Sequence, residues 1–209
     1  MPVARAATVT GPRRIDKATR QWYSAADNRP AGSAGANRKR GKQMKAQKPK
    51  QVFTRLGIMV EVYDSKVELG KAAAEFVAAR LSEAIQRQGQ ARAIFATGAS
   101  QYEFLDALVQ HQEVDWRRVT AFHLDEYLGM SDQHPASFRR YLNERLFSKL
   151  PFAAVHLLRG DAPDAKAECR RYAALLEAGP IDIACIGIGE NGHLAFNDPP
   201  ADFRSPNLV

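Results

Sequence analysis

Short apolar runs alternate with amphipathic stretches from Ile58 onward, and this alternation predicts an α/β fold in three layers, with helices on both faces of a mostly parallel sheet. A second observation is the run at residues 181–186, nearly continuous in Ile, Ala and Cys, as a strand buried on both faces requires. A third is that three runs end in small or polar turns, at residues 97–100, 125–127 and 192–198. In a parallel sheet these turns share one edge, the edge where such sheets bind ligands.

The elements follow in order. Residues 58–63 read as a strand. Leu69, Ala73, Phe76, Val77, Leu81, Ala84 and Ile85 then recur at three and four residues, which predicts an amphipathic helix ending near Gly89. Residues 91–97 form a second strand and 101–110 a second helix. Residues 119–124 form a third strand, and 137–150 a third helix stopped by Pro151. Residues 155–158 are a short fourth strand, 165–178 a fourth helix closed by Gly179 and Pro180, and 181–186 the fifth strand. No further helix follows to cover the sheet before Val209, so the fold is expected to be incomplete at its C-terminal side.

Charge divides the chain into two parts. Residues 1–50 hold 13 of the 30 Lys and Arg but 2 of the 23 Asp and Glu, so the rest of the chain is net acidic. The basic segment has few bulky apolar groups beyond Ile15, Trp22 and Tyr23, too few to offset its ordering entropy. It is expected to be a disordered extension, with a domain at 51–209. Basicity confined to the tail argues against nucleic acid as the domain's partner. No apolar run is long enough for a membrane span. Cys169 and Cys185 show no C-x-x-C spacing, which suggests reduced structural thiols and a cytoplasmic protein.

Gly187, Gly189 and Gly192 spell G-x-G-x-x-G, yet a dinucleotide fingerprint requires the third glycine to open a helix. Here Pro199 and Pro200 follow too soon, so the glycines read as a turn presenting His193, Asn197 and Asp198 to a pocket. His193 is suited to move a proton near neutral pH. Asp125 and Glu126 place two carboxylates at a strand end, where alternation sends them to different sides, and a desolvated one could serve as a base. The small residues Thr97, Gly98, Ala99 and Ser100 before a helix could hold a phosphate through amides and hydroxyls. His134, in His-Pro, reads as turn chemistry. No H-x-x-x-H or H-E-x-x-H spacing accompanies His193, so no metal is expected.

Together the segments at 96–100, 122–129, 134–137, 157–164 with 168–170, and 189–199 resemble the glucosamine-6-phosphate deaminase and 6-phosphogluconolactonase family, whose fold is Rossmann-like. Lactonases typically read Asp-Glu-Arg and Gly-His-Thr-Ala-Ser where this chain has Asp125-Glu126-Tyr127 and Gly192-His193-Leu194-Ala195-Phe196, so the resemblance is to the deaminase branch. It implies conversion of glucosamine 6-phosphate to fructose 6-phosphate and ammonia, without cofactor, by a cytoplasmic hydrolase of amino sugar metabolism that forms a homo-oligomer. The alternatives are a 6-phosphogluconolactonase or a non-catalytic sugar-phosphate-binding module.

The resemblance further implies that His193 opens the sugar ring and that Asp125 carries a proton between C2 and C1. Asn191 and Asp198 would orient His193, and residues 97–100 with Glu126 would bind substrate and phosphate. Familiar deaminases carry Asn-Asp-Gly-His and Asn-Glu-Pro where this chain has Asn191 before Gly192-His193, and Asp198 before Pro199. Asn191 can accept a hydrogen bond from the imidazole but cannot stabilise its charge. Asp198 keeps the charge on a shorter side chain.

Overall fold

The computed structural model of the chain describes residues 3–4, 47–198 and 200–201. The expected disordered extension lies outside the described residues except at its two ends. Near its start, β1 (Val3–Ala4) pairs antiparallel with β6 (Glu126–Tyr127). Near its end, residues 47–50 lead into β2 (Gln51–Arg55).

β2 pairs antiparallel with β3 (Ile58–Val62) across the two residues Leu56 and Gly57. Both have positive φ, 50° and 80°, as the tightest hairpin turns require. The sequence reading of residues 58–63 as part of the parallel sheet is therefore corrected: β3 belongs to a separate two-stranded sheet. Its apolar residues stay open to solvent, Ile58 at 66% and Met59 at 49%.

α1 (Lys66–Gln88) is capped by Ser65, whose hydroxyl accepts from the Glu68 amide, and ends at Gly89 in the left-handed region, as expected. Its buried stripe is Gly70, Ala74, Val77, Ala78, Leu81 and Ala84. Leu69 and Phe76, expected on that stripe, are exposed. The small residues win the inner face because α1 lies tight against α2 (Tyr102–Leu108): a Cβ at Gly70 would overlap the Glu103 backbone.

Four parallel strands form the main sheet in the order β7 (Ala154–His156), β5 (Val119–His123), β4 (Ala91–Phe95), β8 (Ile183–Cys185). Register pairs Phe95 with both His123 and Cys185. Side chains alternate between faces, so Ala91, Ala93, Phe95, Val119 and Ala121 join the larger core with α1, α2 and α3 (Phe138–Leu142). Phe122, with Ile94 packed against it, meets Leu158, Tyr172 and Leu176 beneath α4 (Ala165–Glu177). Helices thus cover both faces, and the expected three layers are present. The third helix is shorter than expected, because after Leu142 the chain widens into a π-turn at Asn143–Phe147.

β8 is also corrected. It borders the sheet among the described residues, paired only with β4, and none of its three residues is fully buried. An apolar run reads alike in a central and a border strand, so the sequence could not distinguish them. Among the described residues Cys169 and Cys185 form no disulfide, and both are half-buried.

The strand order fixes where function can reside. From β4 the chain steps outward to β5 and β7, then returns past β4 to β8. The reversal opens a crevice at the carboxyl ends of β4 and β8, the position where such sheets receive ligands.

Candidate functional site

A cavity of about 280 Å³ occupies that crevice. Thr97 and Ser100 reach it from the end of β4, Asp125 from the end of β5, and His193 and Asp198 from the loop after β8. Gly98, Ala99, Glu126 and Asn191 are not part of its lining.

Asp125 is buried, and this burial together with the neighbouring charge of Glu126 pushes its carboxyl up to about 6. Such a group can both take up and release a proton near neutral pH.

Glu126 does something different from the expected substrate binding. It is fully buried, and its oxygens accept from Ser137 Oγ at 2.8 Å and from the backbone amides of Tyr127, Phe138 and Arg139 at 3.0, 3.2 and 3.0 Å. Arg139 lies beside it at 3.5 Å and also holds Asp161 at 3.0 Å and the Met130 carbonyl at 2.7 Å. With its lone pairs engaged inside the protein, Glu126 ties the end of β5 to the start of α3. Alternation along the chain then turns Asp125 the other way, into the cavity. His134 makes the turn contact expected of it, accepting at Nδ1 from the Ala136 amide at 3.1 Å.

The glycine loop forms a compact turn around His193. The Gly189 amide donates to the His193 carbonyl, the Gly192 amide to the Gly189 carbonyl, and Ile188 bridges Leu194. A Cβ at Gly189 would overlap the imidazole of His193, so the ring lies directly on the Gly189 backbone. This close approach accounts for the second glycine of the series without a phosphate.

The imidazole Nδ1 lies 2.5 Å from Asn191 Oδ1 and 2.9 Å from Asp198 Oδ1, and the Asn191 amide donates to the same Asp198 oxygen at 3.1 Å. Two acceptors at Nδ1 require a proton there, which leaves Nε2 as the free base in the neutral ring. Asp198 supplies the negative charge that Asn191 lacks.

The apolar wall went unrecognised in the sequence. Phe196 stacks on Phe138 at 5.9 Å, and Tyr127 packs against both at 5.2 and 4.9 Å. Phe138 and Phe196 line the cavity and clamp the His193 loop to the Asp125 loop. No spacing in the sequence pairs two aromatics so far apart.

A larger cavity, about 580 Å³, lies at the start of α4. Its charges already have partners. Arg159 and Arg171 hold Glu168 at 2.9 and 2.5 Å, Asp161 meets Arg139, and Asp164 caps the helix.

A family model described as glucosamine-6-phosphate isomerases/6-phosphogluconolactonase matches residues 64–199, more than half of the chain. The chain belongs to this family. A glucosamine-6-phosphate deaminase of Streptococcus sanguinis is 38% identical over 142 residues, covering 68% of this chain and 58% of that protein. One of Oenococcus oeni is 35% identical over 150 residues, covering 72% and 61%. The chain therefore spans about three-fifths of the length of these relatives.

Among solved structures, a monomeric glucosamine-6-phosphate deaminase superposes with a TM-score of 0.62 at 33% identity, covering 68% of this chain and 59% of that one. A 6-phosphogluconolactonase from Shewanella baltica shares the fold, with a TM-score of 0.59 at 24% identity over 66% of this chain and 59% of its own. These findings correct one expectation. The family's description reads isomerases and the named relatives are deaminases, and hydrolase fits only the lactonase members.

Two outcomes follow from the geometry. Because the folded pKa of Asp125 is raised from 3.8 to about 6, the folded state binds more protons than the unfolded one between those values. Stability is then lost as pH rises through that window, by roughly 3 kcal/mol in total. Asp125→Asn should be more stable than the parent protein at pH 8 and lose that advantage below pH 4 in thermal melts. A variant less stable at pH 8 would contradict the burial argument. Gly189→Ala should push the imidazole off its seat and abolish the Nδ1–H signal pattern in ¹⁵N NMR of His193, whereas an unchanged spectrum would show that the close contact is not real.

Proposed function

We propose that this chain catalyses the isomerising deamination of an amino sugar phosphate, in which glucosamine 6-phosphate and water give fructose 6-phosphate and ammonia. The observation that carries the reading is the meeting of Asp125 and His193 in one crevice with the hydroxyls of Thr97 and Ser100. The deaminases among its relatives support the substrate.

The reaction needs a proton moved at the ring oxygen, a second moved between adjacent carbons, and water added to the resulting C2 imine so that ammonia leaves. His193, with Nδ1 held by Asn191 and Asp198 and Nε2 left free, suits the first. Its charge while protonated is balanced by Asp198. Asp125, raised to about 6, suits the second: it is basic enough to take the C2 proton and acidic enough to return it to C1. The phosphate is a binding handle remote from the reacting carbons, and its binding energy can hold C2 against Asp125. Thr97 and Ser100 are the groups that would receive it. The aromatic wall of Phe138 and Phe196 excludes water from one side of the sugar. A cytoplasmic setting agrees with Cys169 and Cys185 forming no disulfide among the described residues.

The assay is direct. Glucosamine 6-phosphate, galactosamine 6-phosphate and 6-phosphogluconolactone are each incubated with the 209-residue chain, and ammonia, ketose phosphate and acid release are measured. Ammonia and fructose 6-phosphate should form from the first, and Asp125→Asn should reduce that turnover by at least about a thousandfold. Acid release from the lactone alone would overturn the reading.

A further inference from the structure

Tyr141 belongs to no motif, yet it reaches across to the turn at residues 97–100. Its hydroxyl donates to the Gly98 carbonyl at 2.8 Å, and the Gln101 amide donates to the same oxygen at 3.0 Å. Gly98 has φ 115° and ψ 166°, a conformation that side-chain-bearing residues rarely adopt. Nothing lies within 4 Å of where its Cβ would be. The carbonyl of this peptide is held by the two hydrogen bonds. Since a trans peptide directs C=O and N–H to opposite sides, anchoring the Gly98 carbonyl on Tyr141 turns the Ala99 N–H away from α3.

The phenol is itself held in place. Its ring stacks on Tyr102 at 5.7 Å, and the Arg145 guanidinium lies 3.9 Å from the centre of the Tyr102 ring and 5.3 Å from that of Tyr141. Tyr102 begins α2 immediately after the turn. The stack thus braces both the turn and the helix it opens. Burial pushes the Tyr141 phenol up to about 12, so it remains a donor throughout the physiological range.

We propose that Tyr141 is a positioning residue for phosphate binding. It never touches substrate, but by holding the Gly98–Ala99 peptide it sets the turn on which Thr97 and Ser100 present their hydroxyls to the phosphate. This rests on the reading of that turn as the phosphate site.

The experiment uses the full chain and its Tyr141→Phe variant, which keeps the ring and its stacking but loses the hydrogen bond. Inorganic phosphate binding is titrated by ³¹P NMR, and steady-state turnover of glucosamine 6-phosphate is measured across pH. In the variant the phosphate Kd and the KM should both rise about five- to tenfold, with kcat within about twofold of the parent and the pH profile unmoved. Tyr141→Leu, which also removes the stack, should weaken phosphate further. Equal phosphate binding by the parent and Tyr141→Phe would overturn the role of Tyr141 while leaving the phosphate site standing. A fall in kcat with KM unchanged would overturn it as well. Absence of phosphate binding in the parent would overturn both the turn's role and this one.

Discussion

The buried carboxylate of Glu126 is the constraint on which the site depends. A fully enclosed carboxylate is tolerable only when its oxygens are satisfied, and here Ser137 and the amides opening α3 satisfy them, with Arg139 adjacent. This arrangement fixes the path of the chain between β5 and α3. Asp125 is thereby left buried beside a second negative charge, and its carboxyl is raised. A satisfied buried carboxylate and a tuned acid have one cause.

The second half of the site is built by close approach. Gly189 brings its backbone against the imidazole, while Asn191 and Asp198 divide the task of holding Nδ1. Phe138 and Phe196 then join the two loops through their stacked rings. The crevice between β4 and β8 supplies the space because the chain reverses direction across the sheet at that point. Sheet order, a buried carboxylate and an aromatic pair therefore bring Asp125 and His193 to one cavity.

Much of this was legible in the sequence, for reasons that can be stated. The strand and helix order follows from hydrophobic period, and Thr97, Asp125 and His193 stand out because each closes an apolar run with a polar turn. What was not legible depends on partners distant along the chain. The β2–β3 hairpin escaped notice because its turn is Leu56-Gly57, without the Asn-Gly or Asp-Gly signature. α1 is rich in alanine, so its inner face could be set only by how closely it approaches Glu103. Glu126 could not be separated from Asp125 until Ser137 and Arg139 were seen around it, and the place of β8 at the sheet's border among the described residues leaves no mark on its composition.

The chemistry open to this crevice turns on one quantity, the ionisation of Asp125 in the folded protein. Selective ¹³C labelling of aspartate and an NMR titration of the Asp125 carboxyl would measure it. The midpoint should lie near 6, and it should fall toward the ordinary carboxylate range in Glu126→Gln. A midpoint near 4 in the unaltered protein would mean that Asp125 is neither desolvated nor coupled to Glu126, and the structural basis offered for its chemistry would be wrong.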